Sequence, residues 1–250
     1  MQTNFSHELF KFTNRHVPRY GIIILFLLMV YTAIPTNNIS SNIVAQGFSA
    51  GQWICIIIIA LASDTITMEY RNNTMSTIVY KSKNKISVYI SKLFVLIIYG
   101  VLLLVIGVLF SFLIKFLAAR SKFSWLSTYH EGHSLLNSLL LNMGGTAIYL
   151  LFIITLSMLL ISLFKNNATV IIIGLAIAFL GADLSNVLIA ALPNLKSILA
   201  WNPFNMINVI NQLSGVNSSH LSNIELIVGN IVYSILFLIL GFWTFKKRPI

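Results

Sequence analysis

The chain is short of charge, and shorter still of acid. Only 9% of its 250 residues are charged, against about a quarter in an ordinary soluble domain, and 16 basic residues stand against 6 acidic ones. With 57% hydrophobic residues, that scarcity excludes a soluble globular domain. A single cysteine, Cys55, excludes a disulfide within the chain and leaves packing as its role. The 13 glycines never fall into G-x-x-x-x-G-K-[ST] or G-x-G-x-x-G, so binding and hydrolysis of ATP by the usual loops is not expected of this chain. All five histidines, His7, His16, His130, His133 and His220, lie outside the long apolar runs. His130-Glu-Gly-His133 is one residue short of the H-E-x-x-H spacing that puts two zinc ligands on one helical face, and reads as a loop. Asp64 and Asp183 are the candidate carboxylates within the membrane, Glu225 sitting at the external mouth of the last run, and the topology below keeps the two aspartates apart. No catalytic set, cofactor site or metal site emerges, and the chain is not expected to be an enzyme.

Six apolar runs are present: 20–34, 48–67, 93–116, 139–164, 168–192 and 224–245. Crossing a bilayer takes about 20 apolar residues as a helix, and continuous runs exclude a barrel, whose strands alternate. The expected fold is an all-α membrane protein of six spans, one domain over 1–250. With the N-terminus in the cytoplasm, twelve basic residues from Lys11 to Arg248 fall inside, and only Lys115, Arg120, Lys122 and Lys196 fall outside. That bias sets both termini in the cytoplasm and turns the net charge of +10 into a topology signal with some attraction to anionic lipid, rather than a nucleic-acid signal. Nineteen residues precede the first run without a cleavage pattern, so no removable leader is expected.

Between the runs the pattern is more varied. Residues 4–17 read as an amphipathic interfacial helix, with Phe5, Leu9, Phe12 and His16 on one face, Glu8, Lys11 and Arg15 on its neighbour, and Pro18 ending it. The first span is short unless it kinks through Pro35 or thins the bilayer. Lys92 is expected to snorkel to headgroups. Gly174, Ala178 and Ala182, followed by Asn186 and Ala190, put a small face on the fifth span for helix packing. Asp64 lies within a turn of the interface; Asp183 reads as the cap of a helix restarting at Leu184. Segment 193–223 holds two short, proline-opened helices, external or re-entrant and too short to span.

The polar stretch 68–85 stands out in so apolar a chain. Glu69, Arg71, Thr74, the short run Met75–Tyr80 and then Lys92 match, in order, the first cytoplasmic loop of ABC-2 type transporter permeases: an acid, a base, Gly-Thr, a short apolar helix and a lysine entering the next span. Asn73 stands in place of the usual glycine, and Lys81 where a proline is frequent. The chain resembles that family in layout throughout, including the N-terminal elbow helix and the short helices before the last span. In style it is also similar to permeases of lantibiotic-immunity systems and bacterial toxin-peptide exporters. The resemblance implies an ABC-2, type V exporter-like fold in the bacterial cytoplasmic membrane. It implies a permease that forms half of a pathway for a hydrophobic or amphipathic peptide, with a second permease copy or paralogue. ATP and magnesium would sit on a separate ATPase subunit docked at the coupling loop, Glu69, Tyr70, Arg71, Asn72, Asn73, Thr74, Met75, Ile78 and Tyr80. The alternative is an ATP-independent transporter or channel using Asp64 and Asp183.

Overall fold

Asparagine and serine mark where several helices begin. Asn84 accepts a hydrogen bond from the Ile86 amide at 2.9 Å, Asn166 from Ala168 at 3.0 Å and Ser40 from Ile43 at 3.4 Å. Each satisfies a first-turn amide that the helix itself leaves unpaired. The computed structural model describes residues 2–34, 39–72, 74–82, 84–119, 122–130, 132–164, 166–215 and 219–247. The caps open α6 (Lys85–Ile114), α8 (Asn167–Ala191) and the short α3 (Ser41–Ala45).

Among the described residues, six helices are long and apolar enough to cross a membrane. They are α2 (His16–Ala33), α4 (Ala50–Arg71), α6 with its π-helical extension Lys115–Ala119, α7 (Leu135–Phe164), α8 and α11 (Asn223–Lys247). The protein is an all-α, multi-pass membrane protein. At the basal end lie α1 (Gln2–Thr13) and α5 (Met75–Ser82); at the distal end lie α3, α9 (Lys196–Leu199), α10 (Val209–Gln212) and a small antiparallel hairpin of β1 (Thr128–His130) and β2 (His133–Ser134).

α7 is apolar on every side, and 72% of its most apolar stretch is buried, against 28% for α2, α8 and α11. A helix without a polar face belongs inside a bundle, and α7 is the post around which α4, α6, α10 and α11 pack. The outer helices bury one stripe and turn Leu27, Leu109, Ile172, Val187 and Ile239 outward, which suits hydrocarbon and not water. Helices do not gain hydrophobic free energy from meeting in lipid, so close packing must hold them. Gly145 provides it in α7: an added Cβ would collide with the Val209 carbonyl and lie 2.9 Å from Ile210 Cα.

Several expectations change. The amphipathic N-terminal helix ends at Thr13, not at 17, and Pro18 falls in the first turn of α2, where its missing amide would have had no partner anyway. α2 thereby gains a turn and reaches about 27 Å at 1.5 Å per residue. The kink expected at Pro35 lies outside the described residues. No break occurs at Asp183: α8 runs unbroken to Ala191 and leaves the carboxylate exposed on its outer side rather than capping a restart. On α8 the buried stripe is Val170, Gly174, Ala178, Gly181, Ser185 and Ile189. A strict four-residue repeat drifts by about 40° per step on a 3.6-residue helix, which is why Ala182 is half-buried and Asn186 and Ala190 are exposed.

Candidate functional site

The basal end gathers three of the chain's six acidic residues, Glu8, Asp64 and Glu69. On α1, Glu8 and Lys11 are three residues apart and share a face, and Arg15 follows in the extended turn between α1 and α2. On the last turns of α4, Asp64 and Met68 form one such pair and Thr65 and Glu69 another. Lys92 lies in the third turn of α6.

These side chains meet. Lys92 is 2% exposed and its ammonium has three acceptors: Glu69 Oε1 at 2.6 Å, Glu8 Oε2 at 2.9 Å and the Thr65 carbonyl at 3.2 Å. That uses all three of its donors. Lys11 Nζ reaches the same Glu69 oxygen at 2.6 Å. Arg15 lies 3.5 Å from Asp64 Oδ2 and also donates to the Met68 sulfur. Glu69 is completely buried; its Oε1 is shared by two ammonium groups, while Oε2 has no hydrogen-bond partner among the described residues. Phe12, buried against Tyr99 at 5.2 Å between ring centres, and the Asn4–Ser87 hydrogen bond at 2.9 Å complete the seam between α1 and α6. A buried ion pair tolerates replacement of both members better than loss of one, because the survivor is left charged and unpaired. The cluster therefore behaves as one tie across α1, α4 and α6.

Two expectations about this region are corrected. Lys92 does not snorkel outward; with two carboxylates and a carbonyl facing it, burial inside is the better solvated position. Glu69 is not part of a water-facing surface, because Lys11 and Lys92 enclose it. The rest of the loop divides cleanly. Thr74 donates from its amide to the Glu69 carbonyl at 3.0 Å, which folds the chain back after α4. Arg71, Asn72 and Thr74 are exposed, Tyr70 is half-buried, and Asn73 lies outside the described residues. The short run expected over Met75–Tyr80 is the helix α5: Met75 is buried, Ile78 and Val79 are half-buried, and Tyr80 is 86% exposed. Between α5, α1 and α6 lies a cavity of about 230 Å³ lined by Asn4, His7, Glu8, Lys11, Ile78 and Val88.

The other candidates sit elsewhere. Gly174 packs on Ile59 of α4, and Ala178 is buried beside it. His130 and His133 flank the hairpin turn, whose Glu131 lies outside the described residues. Among the described residues no three His, Cys, Asp or Glu side chains come together as a metal site. The sequence placed Glu8 and Lys11 on one polar face of an amphipathic helix but gave no sign of their partners on α4 and α6.

No curated protein matches the chain. Residues 4–250 match the family described as "Protein of unknown function (DUF2705)", and the chain belongs to that family.

Proposed function

We propose that this protein is the transmembrane permease subunit of an ATP-driven exporter of the ABC-2 type, with the basal end in the cytoplasm. Nine basic residues of the described chain, Lys11, Arg15, Arg19, Arg71, Lys81, Lys85, Lys92, Lys246 and Lys247, lie at that end, as a cytoplasmic face requires. One observation carries the proposal: α5 is a short, outward-facing helix suspended from the root of α4, where Glu69 is gripped from both sides by Lys11 and Lys92. A separate ATPase subunit, holding ATP and magnesium, docks on the exposed Arg71 and Tyr80. Its movement passes from α5 to α4 and through the ion-paired tie to α1 and α6, so three helices shift together. A second copy or paralogue supplies the other half of the pathway. The spans hold almost no unpaired charge, which suits a hydrophobic or amphipathic peptide as substrate.

Co-purification tests the proposal. The wild-type chain, co-expressed with ATP-binding-cassette subunits from the same genome, retains one of them through size-exclusion chromatography in detergent. Failure to retain any ATPase subunit overturns it.

A further inference from the structure

Polar side chains at the distal end fall into two groups. One group is fully engaged. Asn205 donates to the Ala200 and Ser219 carbonyls at 2.6 and 2.7 Å, Gln212 donates to the Leu221 carbonyl at 2.7 Å, and Asn142 links the Ala45 carbonyl at 2.8 Å to Ser214 at 2.8 Å. The other group surrounds a cavity of about 170 Å³ between the start of α4, the middle of α8 and the segment leading into α10. Gln46, Ser49, Gln52, Asn208 and Asn211 line it, and none of its lining residues is charged. Asn208 is bonded to Asn205. The side chains of Gln46, Ser49, Gln52 and Asn211 are half-buried and make no hydrogen bond with any described residue. Their donors and acceptors are thus available to a ligand in the cavity.

The backbone at the rim is also unusual. Gly47, Phe48 and Ser49 have φ of 57°, 54° and 59°, three successive left-handed residues of which two carry side chains. Such a turn costs about 1–3 kcal/mol per non-glycine residue and persists where the surroundings impose it, commonly at ligand sites. Here it presents Gln46, Ser49 and Gln52, three residues apart in sequence, to one cavity.

We infer that this cavity binds an uncharged segment of peptide main chain. A primary amide offers two donors and a carbonyl acceptor, the complement of a peptide group's own N–H and C=O. A charged ligand would be buried unpaired there. The volume is below the roughly 300–1,000 Å³ of sites that enclose a whole drug-sized molecule, so it takes a short stretch of a longer chain. The α8 wall, Ala178, Phe179 and Ala182, accommodates small apolar side chains alongside it. That the bound peptide is the exported one rests on the exporter proposal; that it binds does not.

The test is equilibrium binding to the full-length protein in phosphatidylcholine nanodiscs. The probes are a blocked, fluorescent alanine–leucine hexapeptide and its analogue with alternate amides replaced by esters. Wild type binds the peptide about tenfold tighter than the ester analogue, as the loss of one or two hydrogen bonds predicts. Gln52→Leu with Asn211→Leu weakens peptide binding about tenfold and abolishes that preference, with an unchanged melting temperature because neither side chain has a hydrogen-bond partner among the described residues. Gln46→Leu alone gives a smaller shift in the same direction and keeps the test decisive if the double variant does not fold. Equal affinity for peptide and ester in wild type, unaltered peptide binding in the variants, or tighter binding of a neutral oligosaccharide overturns the inference. Peptide binding without a retained ATPase subunit separates this site from the exporter proposal; a retained subunit with variant-insensitive peptide binding separates them the other way.

Discussion

Both ends of the helical bundle bury polar side chains, but with different chemistry. At the basal end the groups are ionic and shared: one glutamate oxygen serves two lysines, and those lysines come from different helices. At the distal end they are amides and hydroxyls, each directed mainly at a backbone carbonyl nearby. Ionic ties of this kind hold few elements at long range and fail as a unit when one member is lost. Amide networks hold an irregular backbone in place bond by bond, and each bond adds a modest increment. The basal end thus ties three helices to one another, and the distal end holds irregular turns around a cavity.

The largest expected effect follows from breaking the tie. Glu69→Leu removes the shared acceptor and leaves Lys92 buried with only Glu8 and a carbonyl. A cost of about 3–5 kcal/mol is expected, read as a lowered melting temperature and aggregation in detergent. Adding Lys92→Met recovers part of that loss, because no charge is then stranded at that position. If Glu69→Leu were as stable as wild type, the cluster would not be a tie at all.

The distal counterpart is Gln212→Leu. Its amide holds the Leu221 carbonyl and Asn223, and it also accepts from Ser219. Losing it leaves neutral groups unpaired, at about 1–3 kcal/mol. Thermal unfolding of the two variants side by side, with Glu69→Leu the more damaging, checks the contrast; the reverse order would mean that the distal amides are what holds the bundle.

How much of this was legible in the sequence differs between the two ends in the same way. The six spans were readable because a continuous apolar run is a local signal, and the prolines at 193 and 203 announced the two short distal helices. Lys92 was misread because a lone lysine at the start of a span looks like a snorkelling one. Its partners lie 23 and 84 residues away, and pairing at such separations leaves no periodicity to detect. Asp183 was misread in the opposite sense: aspartate after glycine resembles a cap, yet without a proline nothing stops α8 from continuing. Gln46, Ser49 and Gln52 left a trace in their three-residue spacing, but only the left-handed turn at Gly47–Ser49 brings them to one cavity with Asn211, some 160 residues later.

The smallest expected effect on the fold lies at the exposed end of α4 and on the outward side of α5, and there the exporter proposal is decided. Arg71 and Tyr80 are exposed and support no packing, so Arg71→Ala and Tyr80→Ala shift stability by about 0.5 kcal/mol or less. Exposed arginine and tyrosine are also the side chains that dominate the energetics of protein interfaces, where truncation often costs more than about 2 kcal/mol. On the exporter proposal the two variants therefore keep wild-type melting temperatures and membrane abundance, yet retain the ATPase subunit at least about tenfold more weakly in co-purification. Glu69→Leu cannot separate these roles, because it damages the tie and the docking helix together; only the exposed pair can. Variants that bind the ATPase as wild type does would detach α5 from docking and leave the basal cluster as a purely structural joint.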